Sequence, residues 1–236
     1  MGRKEWKNVW PATHACTAFF TIDANEVRHL LPKELTLKTD KAGRAEIELG
    51  FVRFREGFQG DDWIGATEEM AWAIAVERRS GFGFAFYAMN LAADNETFLA
   101  HNEAIGFHVY RPSGSPVRFH TDLDRRSFEV EDDHGRICVL RHQPEGSLTL
   151  PFFPVTTEVW TGSSGNLQRR HFKWRGVAQA HFAASVASTI CGGHPFFREA
   201  NVSRAAPVPV NVFSSQRVAA HASQVFTDPV SVTTFP

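Results

Sequence analysis

The sequence predicts an α+β fold in which antiparallel strands dominate and helices are few and short, arranged as a single domain over residues 1–236. Three observations predict it. Most patterned segments place apolar residues at every second position, the spacing of half-buried strands. Helical spacing is confined to short stretches. Turn residues that suit hairpins, Asp132-Asp133-His134-Gly135 and Gly162-Ser163-Ser164-Gly165-Asn166, separate pairs of strand-like runs.

Residues 13–21 alternate loosely toward Phe19-Phe20 and read as a first strand, after which Asp23 caps a short helix over residues 24–31 that Pro32 stops. Residues 46–55 alternate strongly and form a strand bearing acids and then arginines. The stretch from Ala66 to Tyr110 organises the rest. In residues 67–76 the period of two sets Met70, Trp72, Ile74 and Val76 on one face and Ala71, Ala73 and Ala75 on the other, with Glu69 on the alanine face. Small residues bearing one acid suit a barrel wall that leaves room for a ligand, and they also suit a solvent-facing surface. Residues 82–91 are apolar on both faces and predict a central strand. Asp94 or Asn95 caps a helix over residues 96–105, Gly106 stops it, and Phe107-His108-Val109-Tyr110 leaves as a strand.

Further strands are predicted at residues 119–121, 127–131, 136–141, 155–160, 167–175 and 210–213. Residues 178–190, rich in Ala and Ser, fit either a helix or a strand pair.

A net charge of −1 and a pI near 6.8 offer nothing to nucleic acid or to an anionic membrane surface. The sequence has no apolar run long enough for a transmembrane helix and no signal core after Met1, so a cytoplasmic location is expected. Cys16, Cys138 and Cys191 are too scattered for a disulfide or zinc framework. The 11 histidines lack metal-ligand spacing, and His142, His171, His181 and His194 fall on separate elements, so no metal and no cofactor is expected. Cys191-Gly192-Gly193-His194 reads as a turn. The 21 phenylalanines fit aromatic walls around an apolar cavity, or Phe in place of Leu in the core.

The order of the acidic strand, the aromatic strand, the short helix and the Gly-aromatic exit resembles the core of the acetoacetate decarboxylase family. Glu69, before Ala73-Ile74-Ala75-Val76, falls where that family has its catalytic glutamate. Met89-Asn90-Leu91 with Asp94-Asn95 is similar to its strand end and helix start, and Glu103 matches the acid of its Gly-Arg-Glu helix segment. Glu158-Val159-Trp160-Thr161-Gly162 with Leu167-Gln168, and Leu30-Leu31-Pro32-Lys33-Glu34-Leu35, resemble two further segments. The resemblance spans roughly residues 14 to 215 and implies a closed, cone-like β-barrel and a homo-oligomer. It also implies a second functional glutamate on the strand at residues 46–55, for which Glu46 and Glu48 both stand as candidates.

The resemblance fails at the active lysine. The family's Pro-Lys-Lys exit, whose first lysine forms the Schiff base, is occupied by His108-Val109-Tyr110, and Val109 carries no amine to activate. The lysines are Lys4, Lys7, Lys33, Lys38, Lys41 and Lys173. Lys173, between His171 and Arg175 on one alternating face, reads as part of a solvated surface.

The chemistry expected of such a pocket is acid–base catalysis on a hydrophobic or aromatic carbonyl compound or keto acid: cyclisation, dehydration, isomerisation or decarboxylation without an imine. Glu69 is the expected acid or base, with Glu103, His108 and Tyr110 as catalytic partners. Trp72, Phe84, Phe86, Phe107 and Arg53 are the expected substrate contacts. The contrasting expectation is a binding protein that holds a small molecule in the barrel without catalysis.

Overall fold

Alternation along residues 44–54 is followed by burial: Ala45, Ile47, Leu49 and Phe51 are buried, while Glu46, Glu48, Gly50 and Val52 between them remain partly accessible. This is the signature of a strand whose two faces meet different environments, and it organises the molecule. The computed structural model describes residues 5–6, 12–59, 62–78, 83–122, 127–142, 147–150, 155–174, 178–182, 186–198, 200, 202, 205–215, 225–226 and 228–229.

The first half of the described chain contains β1 (Glu5–Trp6), β2 (Ala12–Asp23), helix α1 (Asn25–Arg28), β3 (Arg44–Phe54), β4 (Gly57–Gln59), β5 (Asp62–Ile64), β6 (Thr67–Ala75), β7 (Phe84–Ala93) and helix α2 (Glu96–Ala104). Then follow β8 (Arg118–Asp122), β9 (Ser127–Asp132), β10 (Gly135–His142), β11 (Ser147–Leu150), β12 (Val155–Thr161), β13 (Gln168–Trp174), β14 (Ala178–Phe182) and β15 (Val186–Ile190). A 3-10 turn at Pro195–Phe197 precedes β16 (Ala206–Ser215), β17 (Val225–Phe226) and β18 (Asp228–Pro229).

Among the described residues the large sheet has ten strands in the order β11-β14-β16-β2-β3-β6-β7-β12-β13-β18, and a smaller sheet has four, β15-β10-β9-β8. The strand-rich α+β expectation holds. Two refinements follow from the pairing. β12 runs parallel to β7, because the intervening chain carries α2 and β8 to β11 and is long enough for a crossover. Closure of the barrel is not seen: the order begins at β11 and ends at β18, and the described residues hold no pairing between them.

The main core lies between the two sheets. Cys16, Phe20, Leu49, Phe51, Met70, Trp72, Ile74 and Met89 from the large sheet pack with Val117, Phe128, Val130, Ile137, Leu140, Phe196 and Phe197. Trp72 Nε1 and Asn90 Nδ2 both donate to the Phe196 carbonyl, at 3.1 and 2.9 Å, and pin the 3-10 turn to the sheet.

Local signals account for the connections. The Asn95 side chain accepts from Phe98 N–H at 3.2 Å, and Gly106 at φ 91° ends α2 in a conformation that glycine adopts without steric cost. Asp23 accepts from Asn25 N–H at 2.9 Å, yet α1 spans only Asn25–Arg28 and not residues 24–31. Residues 178–190 resolve into β14 and β15, which belong to different sheets. Residues 107–110 do not form a regular strand; they meet β7 through a parallel bridge at Leu91 and Val109.

Candidate active site

The other face of the large sheet is built from small residues. Register places Ala15, Thr17 and Phe19 of β2, Glu48, Gly50 and Val52 of β3, Glu69, Ala71, Ala73 and Ala75 of β6, and Phe86, Leu91 and Ala93 of β7 on one side. We call this the inner face; it lies opposite the main core and carries two acids among apolar neighbours. Burial pushes the Glu69 carboxyl up to about 7. Burial, aided by the nearby Glu46 charge, pushes Glu48 up to about 8. Glu46 differs from Glu48 in having a cation at hand, Lys38 at 3.8 Å.

A bulge between Trp72 and Ala73 shifts the β6–β7 register, so that Trp72 faces Asn90 while Ala73 faces Ala88. The lower end of the inner face is aromatic. Phe19, Phe84 and Phe86 stack with centroids 6.0 to 6.2 Å apart, and Phe19 and Phe86 pack on Ala73 and Ala75.

The upper end holds Val109. Its bridge to Leu91 gives the two side chains a common side, and Val52, Ala15, Phe107 and Val109 pack around Phe54, Leu91, Ala93, Phe98 and Leu99. Val109 therefore shares a face with Glu69, separated from β6 by one strand. A cavity of about 330 Å³ opens beside it, with Phe107, His108, Val109, Asn166, Arg198 and Glu103 in its wall. Burial lowers the His108 pKa from 6.5, and the Arg198 charge lowers it further, so the imidazole is neutral at physiological pH.

The expected site residues thus divide. Glu69, Phe84, Phe86 and Phe107 lie on the inner face. His108 lies at the cavity wall. Tyr110 does not join them: its ring packs on Phe196 against the main core and its hydroxyl donates to Asp132 Oδ2 at 2.7 Å. His194 Nε2 lies 3.0 Å from Asp132 Oδ1, so the tyrosine belongs to a core network. Trp72 is 1% exposed in the main core, across the sheet from Glu69. Arg53 is exposed at the end of β3, 3.9 Å from Glu68. Glu103 reaches the cavity wall from α2 and is paired there with Arg111 at 3.0 Å. Trp72 and Arg53 lie away from the inner face for one reason: one residue of alternation decides which side of a sheet a side chain reaches.

Arg170 escaped the sequence reading. It is fully buried on β13, opposite Val159, which is opposite Phe86, and so it belongs to the inner face. Gln168-Arg169-Arg170-His171 is polar throughout and offers no alternation to mark one residue as interior. Among the described residues no group of three or more His, Cys, Asp or Glu is placed to hold a metal ion.

No family model matches the sequence, and no curated protein matches it. Solved structures do. An acetoacetate decarboxylase matches over 96% of this chain and 91% of its own, with a TM-score of 0.60 at 10% identity. The chain has the acetoacetate decarboxylase-like fold. An acetoacetate decarboxylase-like enzyme from Sphingomonas wittichii RW1 is 11% identical, covers 98% of this chain and 94% of its own, and gives a TM-score of 0.61. The enduracididine biosynthesis enzyme MppR is 12% identical, with 99% and 90% coverage and a TM-score of 0.57. Within this fold the chain keeps an acid on the inner face and has valine at the position where the resemblance places the lysine.

Proposed function

We propose that this chain is a divergent member of the acetoacetate decarboxylase-like superfamily, a lyase- or isomerase-type enzyme that works by acid–base catalysis on a hydrophobic or aromatic carbonyl compound, keto acids included. Glu69 supports this reading above every other residue. It is an acid among alanines on the inner face, and its protonation balance lies near neutrality, where proton transfer in both directions is efficient. The aromatic trio of Phe19, Phe84 and Phe86 gives the substrate its apolar seat. Glu48 is the second acid in place of Glu46, and neutral His108 is positioned at the cavity wall to accept a proton. Curling of the large sheet into a closed cone would seal this face from solvent and sustain the raised acidities. MppR, one of the similar structures, has been captured with pyruvate, a keto acid. Val109 leaves no amine there for an imine, so the carbonyl is activated by hydrogen bonding and proton transfer.

Deuterium exchange tests the reading without knowledge of the natural substrate. The wild type should catalyse exchange of the α-protons of phenylpyruvate or benzylacetone in heavy water, followed by proton NMR, and Glu69→Gln should slow it by on the order of 10²- to 10⁴-fold. A wild type that binds these probes and exchanges nothing is a binding protein, and the catalytic reading then fails.

A further inference from the structure

The two acids of the inner face stand apart. Across β3 and β6 the register lays three rows: Glu48 opposite Ala73, Gly50 opposite Ala71, and Val52 opposite Glu69. Glu48 and Glu69 are therefore four residues and one strand apart, a backbone separation of about 14 Å at about 3.4 Å per residue and about 4.8 Å per strand. Acids so placed address opposite ends of a ligand, not one atom.

The row between them is nearly bare. A Cβ built on Gly50 would meet nothing within 4 Å, and Gly50 does not adopt a positive φ, so neither crowding nor backbone geometry calls for glycine there. Glycine inside a strand weakens it and marks places where a ligand or another backbone comes close. Gly50 and Ala71 thus make a floor with open space above it.

Glu48 is equally unexplained by the fold. Among the described residues no hydrogen bond or ion pair reaches it, and the lysine nearby is engaged with Glu46. Phe19 is its neighbour on β2, at the end of the face where Phe19 and Phe86 stack over Ala73 and Ala75. With its pKa at about 8 the carboxyl is protonated at neutral pH, so it offers a donor and an acceptor among hydrocarbon groups. Polar groups in such surroundings are normally hydrogen-bonded, and a neutral carboxyl is suited to a neutral hydroxyl.

We propose that Glu48 is a specificity residue that hydrogen-bonds a hydroxyl at the far end of the substrate, so that the natural ligand of this site is a hydroxyaryl carbonyl compound. The carbonyl meets Glu69, the ring lies over Gly50 and Ala71, and the hydroxyl meets Glu48. Side chains that lean toward one another and two hydrogen bonds shorten the span of about 14 Å to the length of a benzene ring with an oxygen at one end and a short carbonyl chain at the other. The proposal rests on the reading of the inner face as the active site. It assigns Glu48 to recognition and leaves proton transfer to Glu69.

Isothermal titration of the full chain with benzylacetone and with its para-hydroxy and para-methyl derivatives tests it. The wild type should bind the hydroxy derivative at least about tenfold more tightly than the methyl derivative, whereas a purely apolar seat would favour the methyl group. Glu48→Leu should abolish that preference, and Glu48→Gln, which keeps a donor and an acceptor, should retain it. Gly50→Val, which fills the space over the floor, should weaken all three ligands by at least about tenfold. The ligand series on the wild type needs no substitution, and it carries the test if a variant does not fold. Failure of the wild type to bind the hydroxy derivative, equal or tighter binding of the methyl derivative, a preference that survives Glu48→Leu, or undiminished binding to Gly50→Val would overturn the proposal. The two readings fail separately. Exchange of benzylacetone that depends on Glu69, without a hydroxyl preference, removes the Glu48 anchor alone, whereas a Glu48-dependent preference without any exchange removes the catalytic reading alone.

Discussion

Replacing Glu69 by glutamine should make the protein more stable while it loses activity. The carboxyl is held near 7 in the folded chain against an ordinary 4.5, and the cause is burial. Between those values the unfolded chain has released a proton that the folded chain still binds, so wild-type stability falls as pH rises through the window and levels off above it. Glutamine has no proton to lose. The difference of about 2.5 pH units corresponds to a ceiling of about 3.4 kcal/mol at 1.36 kcal/mol per unit. Partial access of solvent to the inner face reduces this to about 1–2 kcal/mol. For a chain of 236 residues that is a gain of about 2–8 °C in Tm above pH 7, shrinking to nothing below pH 4.5. Glu48, though also raised, is present in both proteins and takes its secondary shift from Glu46, so it cancels in the comparison. Differential scanning calorimetry across pH 4 to 9 reads the effect. A Glu69→Gln variant that is less stable than wild type at pH 8, or whose advantage does not depend on pH, would show that the carboxylate is satisfied by the fold and refute the desolvation argument.

Tyr110→Phe should act on stability and not on chemistry. It removes the donor to Asp132, whose carboxyl burial alone would raise but which the hydrogen bonds from Tyr110, His194 and His134 N–H hold below its ordinary range. Loss of a hydrogen bond to a charged group costs about 1.5–3 kcal/mol, or about 3–12 °C in Tm, with the penalty full above the ordinary carboxylate range and shrinking as pH drops below it. Unchanged Tm with abolished α-proton exchange would return the tyrosine to the active site. Val109→Lys should install the missing amine in apolar surroundings of Leu91, Val52 and Phe107, which lower a lysine's pKa. With pyruvate and borohydride, intact-mass measurement should show a covalent adduct on the variant and none on the wild type; an adduct on wild-type Lys173 would contradict the loss of imine chemistry.

The sequence by itself determined which residues share a face within the regular strands. Alternation put Glu69 with Ala71 and Ala73 and opposite Met70, Trp72 and Ile74, and burial in the structure divides them the same way. It could do so because the two-residue period is a local property of extended chain. A cap at Asp94 or Asn95 and the stop at Gly106 are legible for the same reason, each being settled within a few residues, and the structure uses Asn95. What only the tertiary structure decided is which face of each strand looks inward, and which distant residues meet there. By sequence alone Tyr110 is as good a partner for Glu69 as any neighbour of Val109; the bridge at Leu91 sets Val109 on the side of the acid, and the tyrosine meets Asp132. Arg170 reaches the inner face through a parallel pairing of β12 with β7 that joins segments far apart in the chain. Such a pairing is selected by burial of whole faces against one another, a quantity summed over the folded molecule that no local period encodes.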